Sequence, residues 1–256
     1  MKQPIVICVL ALMTFLTAFL PVGWVTADDE VAGNARKPLP DWYPYVASDI
    51  LEWCEPEAGI WVDLGAGTGG VGLAVATAKN KCASESTIIL LDPDAKALSA
   101  ALQSGRKRGL GNRLVAVVGA AEKMPLPDNS VDLVFSRGSI WFWDDPAKGI
   151  REIHRVLRPG GKAMIGGGLG SNYPEWARRE FTRRRHGNVP ANSPQAKEHA
   201  RLRDPLTFGE WAKEAGVTDF RIIGQGALPA DDPRAGSGIW LKFTKGNENE
   251  REQAVN

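Results

Sequence analysis

The stretch VDLGAGTGG, residues 62–70, decides the fold. An apolar run from Ile60 to Leu64 carries one acid, Asp63, and then breaks into Gly65, Gly67 and Gly69 just before the apolar segment Val71–Lys79. In order these read as a strand, a turn and a helix that packs back on the sheet. Glycine suits such a turn because it adopts backbone angles closed to other residues and lets a ligand approach the main chain. The Gly-x-Gly-x-Gly spacing occurs in several nucleotide-binding folds, so it predicts a cofactor turn without naming the cofactor.

Downstream, SESTIILLDPD (84–94) is a nearly continuous apolar strand, as a strand buried on both faces should be. It ends in two acids. Asp92 stands where a carboxylate at a strand end accepts hydrogen bonds from both hydroxyls of a ribose, whereas Asp94 suits the N-cap of a helix over Ala95–Lys107. A short strand at 114–119, a turn-rich link at 120–130 and a strand at 131–136 come next. A helix is expected over 145–161, stopped by Pro159-Gly160-Gly161 and followed by the strand KAMIGGG. Strands alternating with helices predict a doubly wound, mostly parallel sheet. The segments 219–227 and 237–245 flank a Pro/Gly/Asp loop and read as a closing hairpin.

VDLGAGTG, LLDPD, GAAEKMPLPDNSVDLVFSRGS and REIHRVLRPGGKAMI, taken together over residues 60–168, resemble the class I S-adenosylmethionine-dependent methyltransferases. The similarity is to the small-molecule group that includes the ubiquinone and menaquinone methyltransferases. It implies a Rossmann-like α/β sheet of seven strands with a C-terminal antiparallel hairpin, S-adenosylmethionine as cofactor and a small-molecule acceptor. Carried onto this chain, Asp63, Gly65, Ala66 and Gly67 would lie against the methionine end of the cofactor and Asp92 on the ribose. Ala121 and Glu122 would edge the adenine, with Ser136 and Arg137 beside the sulfonium. One departure stands out: where the family often has an acid for the adenine amino group, this chain has Ala120. Weaker binding is expected, with Glu122 as a substitute.

The acceptor side is less determined. A first helix is expected within 41–54, over the mouth of the fold, and its Trp42, Tyr43 and Tyr45 either cap a substrate pocket or pack on the sheet. Trp141, Phe142 and Trp143 cannot all face one core, so at least one is expected at the pocket mouth, unless all three plug a lid against the first helix. Tyr173 joins Tyr43, Tyr45, Trp141 and Trp143 as a candidate lining residue. The glycine run 166–171 suggests backbone lying close to a ligand. Arg178, Arg179, Arg183, Arg184 and Arg185 form either a solvated face or a seat for an anion. His154, His186 and His199 are scattered, and no metal constellation or nucleophile triad is visible. Methyl transfer from a sulfonium needs chiefly positioning. A hydroxyl acceptor would add a base, for which Tyr173, Asp144 and His186 are candidates.

At 256 residues, with 43% hydrophobic and 24% charged residues and a formal net charge of +1, the chain can bury one good core and carries no general affinity for nucleic acid. Residues 1–27 begin with Lys2, run apolar from Ile5 to Leu20 and end in Val25-Thr26-Ala27. This reads as a cleaved signal peptide or, because the segment is long enough to span a bilayer, as a membrane anchor through residues 4–25. Either way the rest is expected to be exported (periplasmic or extracellular) or membrane-anchored. Residues 28–40 read as a linker, 41–245 as the domain and 246–256 as a disordered tail. Cys54 and Cys82 could pair in an oxidising compartment, and the sequence leaves open whether they do. Export fits poorly with a cofactor made in the cytoplasm. An exported nucleoside- or metabolite-binding module without catalysis is therefore the alternative to an enzyme, and a nicotinamide oxidoreductase fits the later motifs least.

Overall fold

The computed structural model describes residues 37–186, 193–224 and 238–246. By internal contacts the chain divides into Met1–Pro38 and Leu39–Asn256. The expected signal or anchor, the tail beyond 246 and the loop at 225–237 lie outside the described residues. Among the described residues, no helix is long and apolar enough to cross a membrane.

The second unit opens with helix α1 (Tyr43–Cys54) and strand β1 (Ile60–Leu64), then α2 (Gly70–Thr77), α3 (Lys81–Glu85) and β2 (Thr87–Asp92). Helix α4 (Ala95–Lys107), β3 (Leu114–Val118), β4 (Val131–Arg137) and a 3₁₀ turn at Ile140–Phe142 follow. Next come α5 (Pro146–Val156), β5 (Leu157–Gly168), α6 (Glu175–His186), α7 (Pro194–Arg201) and α8 (Pro205–Glu214), and the hairpin β6 (Phe220–Gly224) and β7 (Gly238–Thr244) closes the domain. The seven strands lie in the order β3-β2-β1-β4-β5-β7-β6, with β7 antiparallel to both neighbours.

The chain winds from β1 outward to β2 and β3, then returns to lay β4 on the other side of β1. A crevice opens at such a reversal, outside the carboxyl ends of the strands. Alternation along the strands splits the core in two. Trp61, Leu90, Phe135 and Met164 face the layer of α1, α2 and α4, whereas Val62, Leu91, Val134 and Ile165 face that of α5 and α8. Both faces are apolar because both are covered.

Several boundaries differ from the sequence expectation. Helix α5 ends at Val156, and Leu157-Arg158-Pro159 already belong to β5, where the register with β4 shifts between Val131 and Leu133. Proline and glycine there shape an irregular strand start instead of a helix stop. Residues 81–85 form a short helix, capped by the Asn80 side chain accepting from Ala83 N–H, so β2 starts only at Thr87. Asp94 caps α4 as expected, accepting from Lys96 and Ala97 N–H. Cys54 and Cys82 are both free thiols on the first core cluster, not a disulfide. Burial pushes the Cys54 thiol up to about 12.

Candidate cofactor and acceptor site

The glycine turn is laced to the end of β2. Gly65 and Ala66 N–H both donate to Leu91 O, at 2.8 and 3.1 Å, and Gly67 N–H donates to Asp92 Oδ2 at 2.8 Å. The other oxygen of Asp92 accepts from Asp94 N–H at 2.8 Å. A carboxylate oxygen has two lone pairs, so each oxygen retains one for a further donor.

The three turn glycines have positive φ, at 71°, 51° and 81°, but they are needed for different reasons. A Cβ on Gly65 would fall 2.2 Å from Ser139 Cβ, whereas one on Gly67 would meet nothing within 4 Å. Open space in front of Gly67, beside the half-free Asp92 carboxylate, is the feature that fits a nucleoside at this turn.

Asp63 faces inward. Its Oδ2 accepts from Gly72 N–H at 2.7 Å, the third amide of α2, which Gly69 at the N-cap has no side chain to serve. Burial pushes this carboxyl up to about 7; the Gly72 bond pulls it down and the nearby Asp92 charge adds to the rise. Asp63 thus stands at the crevice end of β1 as a brace of the turn, engaged with α2.

At the end of β4, buried Ser136 shares a 2.5 Å hydrogen bond with Ser139. Ser139 Oγ also lies 3.1 Å from Leu64 O, as its donor, and accepts from Trp143 Nε1 at 3.2 Å. Arg137 donates to Gly168 O at 3.0 Å, and its guanidinium sits 5.4 Å from the Trp42 ring centre. Ala121 is buried, and Glu122 Oε1 accepts from the Asp144 and Asp145 amides at 2.8 and 3.3 Å. That oxygen of Glu122 braces the link into α5, which leaves the substitution for Ala120 to its second oxygen.

The aromatic candidates separate into two groups. Tyr43 lies against Gly70, where a Cβ would fall 2.3 Å from its ring, while Tyr45 packs edge-on to Tyr173 at 5.3 Å. Tyr45, Trp42, Leu39 and Phe181 pack on a third small cluster of Leu169, Tyr173 and Ala177, whereas Tyr43 packs on the first core cluster. Trp141 and Trp143 instead pack on the second core cluster, over Gly167 and Gly149 respectively, and Phe142 points outward at 87% exposure. Neither expectation for that triplet holds in full: two rings fill the α5–α8 layer and one is solvated.

The reading of the glycine run 166–171, which begins inside β5, is also corrected. Cβ atoms there would strike Ile239 O from Gly166, the Trp141 ring from Gly167 and Tyr45 from Gly170, so the close neighbours are protein. Arg178 leaves the expected solvated face, since its Nη2 donates to the carbonyls of Gly170, Ser171 and Tyr173. Arg179 pairs with Glu175, and Arg183 and Arg184 pair with Glu180, as a solvated face would have it. The Arg185 and His186 side chains lie outside the described set. Of the base candidates, Asp144 is exposed, and Tyr173 donates its hydroxyl to Pro40 O at 2.9 Å while burial raises its pKa.

Two partners were missed in the sequence. Asp49, fully buried in α1, accepts from Ser171 N–H at 2.8 Å and from Ser171 Oγ at 2.5 Å, and burial raises its carboxyl above the ordinary range. The signal was present, because Asp49 sits among Val46, Ala47 and Ile50 on the apolar face of its helix. Ser139, the hub under Gly65, carried no signal beyond its spacing from Ser136.

Known proteins agree with this geometry. The family model described as a methyltransferase domain matches residues 62–165. The chain is 34% identical over 185 residues to the chloroplastic 2-methyl-6-phytyl-1,4-hydroquinone methyltransferase of Arabidopsis thaliana, covering 71% of this chain and 47% of that one. An uncharacterized methyltransferase of Mycobacterium tuberculosis is 36% identical over 120 residues, 46% of this chain and 44% of that one. The chain thus spans about half the length or less of these relatives. Among solved structures, one assigned to the S-adenosyl-L-methionine-dependent methyltransferases, from Methanococcus maripaludis, superposes with a TM-score of 0.63 at 29% identity, covering 81% of this chain and 86% of that one. A Haemonchus contortus phosphoethanolamine N-methyltransferase in complex with S-adenosyl-L-methionine shares the fold, with a TM-score of 0.54 at 19% identity over 79% of this chain and 52% of that one. With the motifs, the strand order and these relatives in agreement, residues 62–165 lie in a methyltransferase domain of the class I S-adenosylmethionine-dependent type.

Proposed function

We propose that this chain methylates a small aromatic acceptor of the hydroquinone type, using S-adenosylmethionine. The observation that carries the cofactor half is the Asp92 carboxylate, fixed by Gly67 and Asp94 amides at the strand reversal with one lone pair per oxygen left for the ribose hydroxyls. The hydroquinone half is supported by the named acceptor of the plant relatives.

When bound, S-adenosylmethionine supplies a methyl group on a sulfonium, activated for in-line displacement. What remains for the protein is to position and to exclude water. Gly67 would leave room for close approach, Asp92 would orient the ribose, and Ala121 and Glu122 would edge the adenine. Ser136 and Arg137 mark the side from which the acceptor is reached. Helix α1 keeps water out by spanning the mouth, since Tyr43 sits on Gly70 at one side and Tyr45 on Gly170 at the other.

Isothermal titration with S-adenosylmethionine and S-adenosylhomocysteine tests the first half, with Asp92→Ala as control. Micromolar binding that is lost in the variant is expected, and a folded protein binding neither ligand refutes the reading. Transfer of a labelled methyl group to 2-methyl-6-phytyl-1,4-hydroquinone tests the second. Residues 1–27 are proposed to carry the domain to or across a membrane, which fractionation of a C-terminally tagged chain would test; recovery only with cytoplasmic proteins would refute it.

A further inference from the structure

We propose that Trp42 and Arg178 form the seat for an anionic oxygen of the acceptor, a phenolate-type oxygen on a planar ring; this rests on the methyltransferase reading above. Among the described residues, three buried side-chain nitrogens find no hydrogen-bond partner: Trp42 Nε1, Arg178 Nε and Trp240 Nε1. Buried donors are nearly always satisfied, and leaving one unmet is costly. Trp240 lies within the first core cluster. The other two belong to residues that touch one small cluster.

Trp42 packs on the cluster of Leu169, Tyr173 and Ala177, and its ring meets Phe181 of α6 at 5.4 Å. Arg178 follows Ala177 in α6, and its Nη2 holds the Tyr173 carbonyl of the same cluster at 3.1 Å. One donor thus comes from the start of α1 and the other from α6. Neither group can accept a hydrogen bond. The Arg137 guanidinium over the Trp42 ring adds positive charge from the end of β4. Of the neighbouring acids, Asp49 accepts from Ser171 N–H and Oγ and also faces the Arg178 charge, Asp41 accepts from Tyr43 N–H, and Glu180 is paired with Arg183 and Arg184. Two unmet donors, a positive field and aromatic walls select a flat ring bearing a negatively charged oxygen. Both nitrogens are sealed from solvent, so occupation of the seat requires Trp42 and Phe181 to move apart.

Such a seat removes the need for a side-chain base. Donors and positive charge around the oxygen favour the ionised hydroxyl, which gives its proton to water. The oxygen's electron pair then conjugates into the ring, and the adjacent ring carbon forms its bond to the methyl group. The electron pair of the broken carbon–sulfur bond stays on sulfur as a neutral thioether. The ring regains aromaticity by losing the carbon-bound proton to water and the oxygen is reprotonated, so one proton is released in all. Tyr173 takes no part, its hydroxyl being committed to Pro40.

The test uses the full chain and 4-nitrophenol, whose anion is followed by its absorbance. Wild type is expected to bind the anion and to titrate the bound phenol at a lower pH than free phenol. Trp42→Phe, which keeps a ring and removes the N–H, and Arg178→Lys, which keeps charge for the loop carbonyls and removes Nε, should each weaken anion binding about tenfold. Affinity for S-adenosylhomocysteine should stay unchanged in both variants, and the thermal midpoint should stay unchanged in Trp42→Phe. Anion binding by folded Trp42→Phe as tight as in wild type would overturn the seat. An equal loss for nitrobenzene, which lacks the oxygen, would overturn it too. Wild type that holds the anion but no S-adenosylhomocysteine would refute the methyltransferase reading and leave the seat standing.

Discussion

Replacing Asp63 by Asn should flatten the pH dependence of folding stability between pH 4 and pH 7. Burial raises the Asp63 carboxyl from 3.8 to about 7 in the folded chain. In that window the unfolded chain has already released the proton and the folded chain still holds it. Raising the pH therefore draws the equilibrium toward the unfolded state, at 1.36 kcal/mol for each pH unit. Over about three units the stability lost is about 4 kcal/mol, present in full at pH 4 and gone by pH 7. Asn keeps an oxygen for Gly72 N–H and cannot ionise, but it brings a buried amide donor costing about 1–3 kcal/mol. At pH 8 the variant should be more stable than wild type by about 1–3 kcal/mol, and at pH 4 less stable by a similar amount. Urea unfolding of both proteins at half-unit pH steps measures this, because the difference between the two curves cancels every other titrating group. Parallel curves would refute the reasoning and show that Asp63 is ionised in the folded state at pH 4.

Asp92→Ala should lower S-adenosylmethionine affinity at least thirtyfold by titration calorimetry, since two ribose contacts of about 1 kcal/mol each and the brace on Gly67 are lost together. Gly65→Ala and Gly67→Ala should part ways. The first collides with Ser139 and should cost about 3 kcal/mol or more in denaturant unfolding, whereas the second pays about 1 kcal/mol for its positive φ and shows its main loss in cofactor binding. Iodoacetamide labelling at pH 8 mapped by mass spectrometry should modify Cys82 in the native protein and Cys54 only after denaturation, because Cys54 is buried and titrates near 12.

The cofactor half of the molecule was legible because its signals are local. An apolar strand buried from Trp61 to Leu64, glycines with positive φ and an acid at the next strand end lie within 33 residues of one another, from Ile60 to Asp92, and each constrains the backbone where it stands. The cap at Asp94 and the hairpin of β6 and β7 were legible for the same reason. The region where α1 meets the loop after β5 and α6 was not, because its contacts are made across long separations. Nothing in the residues near Gly166 or Gly170 announces that the close neighbours are Ile239 and Tyr45. Arg178 was read with the charge run it belongs to, although carbonyls of the preceding loop turn it inward. Asp49 shows the intermediate case: its place on an apolar helix face was visible, but its partner, 122 residues away, was not.

The fastening of α1 to the loop after β5 has a kinetic side. Both bonds run to one carboxylate that is kept dry at a cost, as its raised pKa records. Parting the seam breaks two hydrogen bonds and at the same time returns that carboxylate to water, so hydration recovers much of what the bonds supplied. Such a clasp fixes where the helix closes without fixing it firmly. Opening at this seam is therefore expected to cost less than two buried hydrogen bonds alone would suggest.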